Sequence, residues 1–213
     1  MDAVPSHMAL EVPDLTLLPG DSDLALKEWA VAVSVMGRGD QILMIRKGGI
    51  HRDDKEFRVV HPEFMLYPTY EHQKAALLKE AVHEDLERTL GEDDIAGLVS
   101  LTYWCRVTDK FQIADEDVLD ALSPHHIWTK DYAQKRLLWR PKQPLTVALL
   151  RVYSMQQPQA LPVLDEYIGC KSWVELGQDV PLGYMKPVLS DEAYEEKAEL
   201  IRQVLGATPS PVG

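Results

Sequence analysis

Cysteine is scarce in this chain, with two among 213 residues. Cys105 and Cys170 stand far apart and form no CxxC pair. That excludes a disulfide framework, a zinc knuckle and a dithiol redox motif. It leaves two thiols of the kind that packs, reduced, inside a core. Positive charge is the minority sign: 22 Lys and Arg stand against 34 Asp and Glu, for a net charge of −12. A field of that sign repels nucleic acid and anionic lipid from most of the surface. No apolar run approaches membrane-spanning length, and no basic-then-apolar leader opens the sequence. The expectation is a soluble, cytoplasmic protein. The P-loop pattern GxxxxGK[ST], the dinucleotide pattern GxGxxG and the zinc pattern HExxH are all missing. No cofactor fingerprint is present, and no metal is assigned.

What is there is ordinary globular material: 46% hydrophobic and 26% charged residues, enough to bury a sizeable core without crosslinks. Residues 1–23 lack a sustained period and read as a loose arm. Residues 24–206 read as one domain, and 207–213 as a frayed tail. Val31, Val33 and Val35 alternate with Ala32 and Ser34, which predicts a strand. Gly37 to Asp40 then turns the chain into a second strand at Ile42–Ile45, a hairpin signal. Phe64–Tyr67 reads as a third strand, halted by Pro68.

Leu78, Val82, Leu86 and Leu90 recur every four residues and predict one helix over 73–90, with Thr69 before it and Gly91 as its stop. Leu98–Val107 and Phe111–Ile113 read as strands paired across Thr108-Asp109-Lys110. Asp115–Leu122, Thr129–Trp139 and the segment after Ser190 read as helices. Leu145–Tyr153 reads as a buried strand, and Cys170–Leu176 as a helical turn. Strands and helices do not alternate strictly. The fold class expected is therefore α+β, a mostly antiparallel sheet that can close into a barrel-like form, with three or four flanking helices.

The polar chemistry concentrates in a few places. Arg46-Lys47-Gly48-Gly49 sets two cations at a strand end beside backbone that can approach a ligand closely, a way to hold phosphate. Gly-Gly is equally ordinary turn punctuation. His61, Glu63, Glu71 and His72 flank the third strand around Tyr67. Imidazole and carboxylate drawn together could bind a divalent metal or share acid–base work. The plainer reading is a loop ordered by hydrogen bonds to these groups. His125-His126 precedes Trp128 at a helix start, where packing accounts for it.

Between residues 130 and 151, six cations face one carboxylate, so this segment is +5 and the remainder −17. The slightly longer stretch Trp128 to Tyr153 sets Arg136, Arg140 and Lys142 among Trp128, Tyr132, Trp139 and Tyr153, a mixture suited to stacking bases between cations. A solvated amphipathic helix would look the same.

Six phrases carry a resemblance: Ala25–Val33, Ile42–Ile50, Glu63–Gln73, His125–Thr129, Arg136–Tyr153 and Tyr167–Leu176. Over this span the chain resembles an uncharacterised bacterial family, domain of unknown function 1802. The resemblance implies no established activity. Some relatives are fused to a restriction-endonuclease-type domain, which implies by analogy an element associated with DNA processing.

Three functional readings follow. The first is a module binding nucleic acid or a phosphate-bearing ligand through Arg46, Lys47 and the segment around Arg136, Arg140 and Lys142. The second is a metal-assisted hydrolase built on His61, Glu63, Glu71 and His72. The third is a structural, partner-binding protein.

Overall fold

The structure, a computed structural model, describes residues 18–47, 61–92, 97–138, 145–169 and 171–206. Gly48, Gly49, Arg140, Lys142, Trp139, Cys170 and the tail 207–213 lie outside the described residues.

Seven strands form one sheet. They are β1 (Asp21–Trp29), β2 (Leu43–Lys47), β3 (Glu63–Thr69), β4 (Leu98–Ile113), β5 (Leu145–Pro162), β6 (Trp173–Pro181) and β7 (Met185–Pro187). Their order is β2-β5-β4-β3-β1-β6, with β7 on β5. Every pairing is antiparallel except β1 with β3. Among the described residues, five helices flank it: α1 (Ala30–Gly37), α2 (His83–Glu92), α3 (Glu116–Ala121), α4 (Lys130–Leu138) and α5 (Asp191–Leu205). The fold is α+β.

Strand alternation divides the core into two. Leu24, Leu26, Phe64, Leu66 and Cys105 face one cluster, which also holds α1 and α5 residues. Their neighbours Ala25, Met65, Tyr67 and Trp104 face the other, against Tyr167, Val174 and Leu176. The period of two in β1 and β3 thus feeds both layers.

The opening hairpin is not formed. Val31–Val35 lies in α1, which is buried on all sides through Ala30, Val31, Ala32, Val33, Val35 and Met36. A segment apolar at nearly every position carries no amphipathic period, so the valine spacing does not decide between strand and helix. Tertiary contacts decide it. Gln73 Oε1 accepts from the Val31 amide at 3.0 Å, satisfying a first-turn donor.

At the other end, Gly39 takes φ +77°. Gly39 N–H donates to Met36 O at 3.0 Å and Asp40 N–H to Val35 O at 3.2 Å, a Schellman closure. A Cβ at Gly37 would lie 2.2 Å from the Tyr103 ring, so that position admits only glycine unless the ring shifts.

Three other expectations change. The helix over 73–90 is two short 3-10 turns, Ala75–Leu77 and Glu80–Val82, before α2 begins at His83. Leu78 is extended because it bridges Trp128, with Lys79 N–H donating to Ile127 O and Thr129 N–H to Leu77 O. Thr69 ends β3, and Gly91 lies inside α2. Residues 108–110 are no turn. β4 runs through them with a register shift between Val107 and Asp109, and buried Asp109 takes a bidentate contact from Arg202 of α5 at 3.0 and 3.0 Å. Trp173–Leu176 is strand, paired with β1. Ser190 caps α5 as the sequence suggests, and Asp115, expected inside a helix, caps α3 instead.

One contact shows how far the sheet curls. β1 is four strands from β2 in sheet order. A flat sheet would hold them about 19 Å apart. Yet the Arg46 Nη2 of β2 lies 2.9 Å from Glu28 Oε2 of β1 and also donates to Lys27 O. The sheet is therefore strongly curled, without closing. The β1–β2 seam has no backbone ladder, and a side-chain ion pair spans it.

Both partners are nearly dry, with side chains 13% and 9% exposed. Removing one partner strands the other. Glu28→Ala is expected to cost about 3–5 kcal/mol, and Glu28→Leu with Arg46→Met to restore most of that. Urea midpoints at constant slope check this. A single-variant loss below about 1 kcal/mol would contradict it.

Candidate ligand-binding seam and a second cleft

The seam is built from the ends of β1 and β2, the start of α1 and one face of α4. Glu28 sits on the inward face of β1 because it continues the Leu24, Leu26 alternation. Its Oε1 accepts the Trp29 amide at 3.0 Å and its Oε2 the Arg46 guanidinium. Burial lowers the Arg46 pKa, Glu28 opposes that fall, and the nearby charge of Arg136 adds to it. Arg46 therefore stays charged because Glu28 faces it.

Arg136 donates to Ile45 O at 3.3 Å and lies 5.2 Å over the Tyr132 ring, one helical turn back. Tyr132 in turn stacks on Trp29 at 6.3 Å, and Trp128 packs edge-on against Trp29 at 5.1 Å. Among the described residues, two buried donors here have no hydrogen-bond partner, Arg46 Nε and Gln73 Nε2. Each such group is costly unless something accepts from it.

The structure thus brings Arg46, Lys47 and Arg136 to one place. Their tasks differ. Lys47 is buried, donates to Leu137 O, and burial lowers its pKa. With Arg46 it fastens β2 to its neighbours. Arg136 is half-buried and presents its guanidinium on an aromatic ring.

The remaining cations of the basic segment divide similarly. Arg151 is buried and bonds Asp191 at 2.6 Å to hold α5, and Lys130 pairs with Asp120 at 2.5 Å. Trp128 and Tyr153 are buried, at 4% and 8% exposure, so neither offers a face to a base. Tyr132 and Trp29 remain half-buried.

The histidine and glutamate set does not gather. His61 and Glu63 precede or open β3, whereas Glu71 and His72 follow its end. Six residues of extended strand separate the two pairs by about 20 Å. Glu63 pairs with Arg106 of β4 at 2.7 Å, and His61 lies edge-on to Trp173 at 5.5 Å. Glu71 and His72 are exposed, and His72 holds φ +65° in the turn. Tyr67 is buried against Tyr167, and that burial pushes its pKa up to about 12. Among the described residues, no three His, Cys, Asp or Glu side chains are placed to hold a metal ion. The hydrolase reading loses its geometry.

A second cleft has no sequence motif of its own. A cavity of about 250 Å³ lies between the end of α1, the start of α2 and residues 124–127. Arg38 lines it, bonded to Asp85 at 2.9 and 3.0 Å and to Asp40 at 3.1 Å. His126 lines it too and is 5% exposed. Packing is the role expected of His125-His126 from the sequence, and His126 is indeed buried. Its Nδ1 accepts the Trp128 amide at 3.2 Å, so the neutral ring carries its proton on Nε2, which has no partner. The only sequence signal was two histidines between a proline and a helix start.

A mostly antiparallel, strongly curled sheet with flanking helices defines an α+β protein. The chain belongs to the family described as "Domain of unknown function (DUF1802)", whose model matches residues 25–200. No curated protein matches it. A solved structure, the crystal structure of a mutant of the ZmASCH protein from Zymomonas mobilis, is similar over 86% of this chain and 99% of that one, at 11% identity and a TM-score of 0.41. Among the described residues, no helix is long and apolar enough to cross a membrane.

The state of His126 has a measurable consequence. Burial, with the charges of Lys79 and His125, lowers its pKa from the ordinary 6.5 to about 4. A histidine depressed in the folded state stabilises fully above its unfolded pKa and loses that contribution as pH falls toward the folded value. Stability is expected to drop by about 3 kcal/mol from this residue between pH 6.5 and pH 4. Urea midpoints across that window should fall less steeply for His126→Gln than for the parent. Parallel curves would contradict the assignment.

Proposed function

We propose that the protein is a binding module for a phosphate-bearing ligand, with a nucleic-acid strand as the favoured class. One observation carries the reading: Arg136 stands over Tyr132 beside Arg46 and Lys47, within a segment whose +5 opposes the −12 of the whole. A guanidinium backed by a ring is pre-set for a phosphate or for the face of a base.

The acidic remainder keeps a polyanion off other surfaces, so contact is confined to this seam. Arg140 and Lys142 follow α4 in the sequence and extend the same charge. The family resemblance suggests DNA processing as the setting.

Fluorescence anisotropy with labelled single-stranded DNA and RNA tests this, with a nucleoside monophosphate and inorganic phosphate as separate arms. Binding is expected at about 50 mM salt and should weaken steeply by about 200 mM. Arg136→Glu should reduce affinity at least about tenfold, or about 1.4 kcal/mol, with a shallower salt slope. No binding in any arm, or an unchanged affinity for Arg136→Glu, would overturn the reading.

A further inference from the structure

We infer that the outer face of the ribbon formed by Leu98–Leu101 and Gln159–Pro162 is a contact surface for a second copy of this chain, in a two-fold dimer. β3 pairs with β4 no further than Trp104, and β7 ends against Met155 of β5. Among the described residues, the ends of β4 and β5 therefore continue as a two-stranded ribbon, set off by a register shift between Leu101 and Tyr103. One face of this ribbon is core: Val99, Leu101 and Leu161 are buried with Tyr167 and Leu176. The other face carries Leu98 opposite Pro162 and Ser100 opposite Ala160, all four exposed.

An antiparallel sheet with one face on the core ordinarily turns polar and charged side chains to water on the other. Here the solvent face is without charge. No Asp, Glu, Lys or Arg occurs from 97 to 105 or from 152 to 164, in a chain of which 26% is charged. Leu98 is 45% exposed, and Leu164, two residues beyond Pro162, is 40% exposed. An apolar, charge-free strip exposed on two paired strands marks a contact surface.

The lack of charge also selects the occupant. A nucleic acid needs cations, and the strip has none. A foreign protein is steered and oriented by complementary charge. Past Leu164 the border is mixed: Asp165 and Glu166 are exposed, and Lys171 Nζ donates to Glu166 O at 3.0 Å. A second copy needs no such pattern, because in a two-fold contact the strip meets itself. Two chains of −12 repel, and a strip without charge is where they meet with the least like-charge contact. β2 and the seam join β5 at its other end, Leu145–Leu149, so this dimer leaves the seam open to a ligand.

Sedimentation equilibrium of the intact chain between about 1 and 100 μM, at about 50 and 500 mM salt, is the test. The parent is expected to dimerise with Kd below about 10 μM and, unlike a nucleic-acid complex, to tighten with salt as the repulsion between the two chains is screened. Ala160→Glu and Ser100→Glu, both at exposed positions, set like charges against each other across the contact. Each should weaken the dimer at least about tenfold while leaving the melting curve of the monomer unchanged. Leu200→Glu, exposed on α5, should leave the dimer as it is. A parent that stays monomeric at about 100 μM in both salts would overturn the inference and leave the strip to a foreign partner. A dimer that neither glutamate weakens would overturn it too, by placing the contact elsewhere.

Discussion

The ion pair between Glu28 and Arg46 is the constraint on which the rest of the structure depends. It joins two strands that lie at a distance in sheet order and share no backbone ladder. With the pair formed, β2 swings against β1, and α4 follows β2 because Lys47 donates to Leu137 O and Arg136 to Ile45 O. The charge pair is therefore less a source of net stability than a device that fixes where the end of β2 meets the end of β1.

From that closure the position of α1 follows. Glu28 receives the Trp29 amide, and Gln73 receives that of Val31, so the helix starts at the seam. The Schellman turn at Gly39 and the Arg38–Asp85 contact fasten its other end to α2. A helix with no polar face is held by polar groups at its two ends, and each end lies beside a place where a buried donor lacks a partner. Arg46 Nε and Gln73 Nε2 mark one, and His126 Nε2 the other. The rest of the molecule spends its polar side chains on itself: Asp109 on Arg202, Arg151 on Asp191, Glu63 on Arg106.

What could be read in the amino acids was the class of fold and the elements whose signals are local. The last helix shows this well. Ser190 caps it, Tyr194, Ala198, Ile201 and Leu205 share its buried face, and Gly206 ends it in the left-handed conformation. Each of those signals acts over a few residues. The failures share the opposite character. Val31–Val35 became helix because Gln73 caps it from another segment. Leu78 became extended because Trp128 pairs with it, and residues 108–110 became a bulge because Arg202 reaches Asp109 from α5.

The candidate site was legible in the same measure. Arg46, Lys47 and Arg136 could be picked out as cations near ordered elements. Glu28 inside a strand, Gln73 in a loop and Asp40 after a glycine carried no motif, because a partner across the fold gives them their meaning. The charge reversal over 130–151 singled out a segment whose cations are partly committed elsewhere, since Lys130 and Arg151 pair with carboxylates.

The most direct measurement is proton exchange at the Arg46 guanidinium by nuclear magnetic resonance, with Arg88, whose side chain is 58% exposed, as the reference within the same molecule. A seam closed by Glu28 predicts a slowly exchanging Arg46 Nε–H with cross-relaxation to β1 protons at Lys27 and Trp29. An Arg46 that exchanges as fast as Arg88 and shows no contact with β1 would mean the seam is open, and the account built on its closure would not hold.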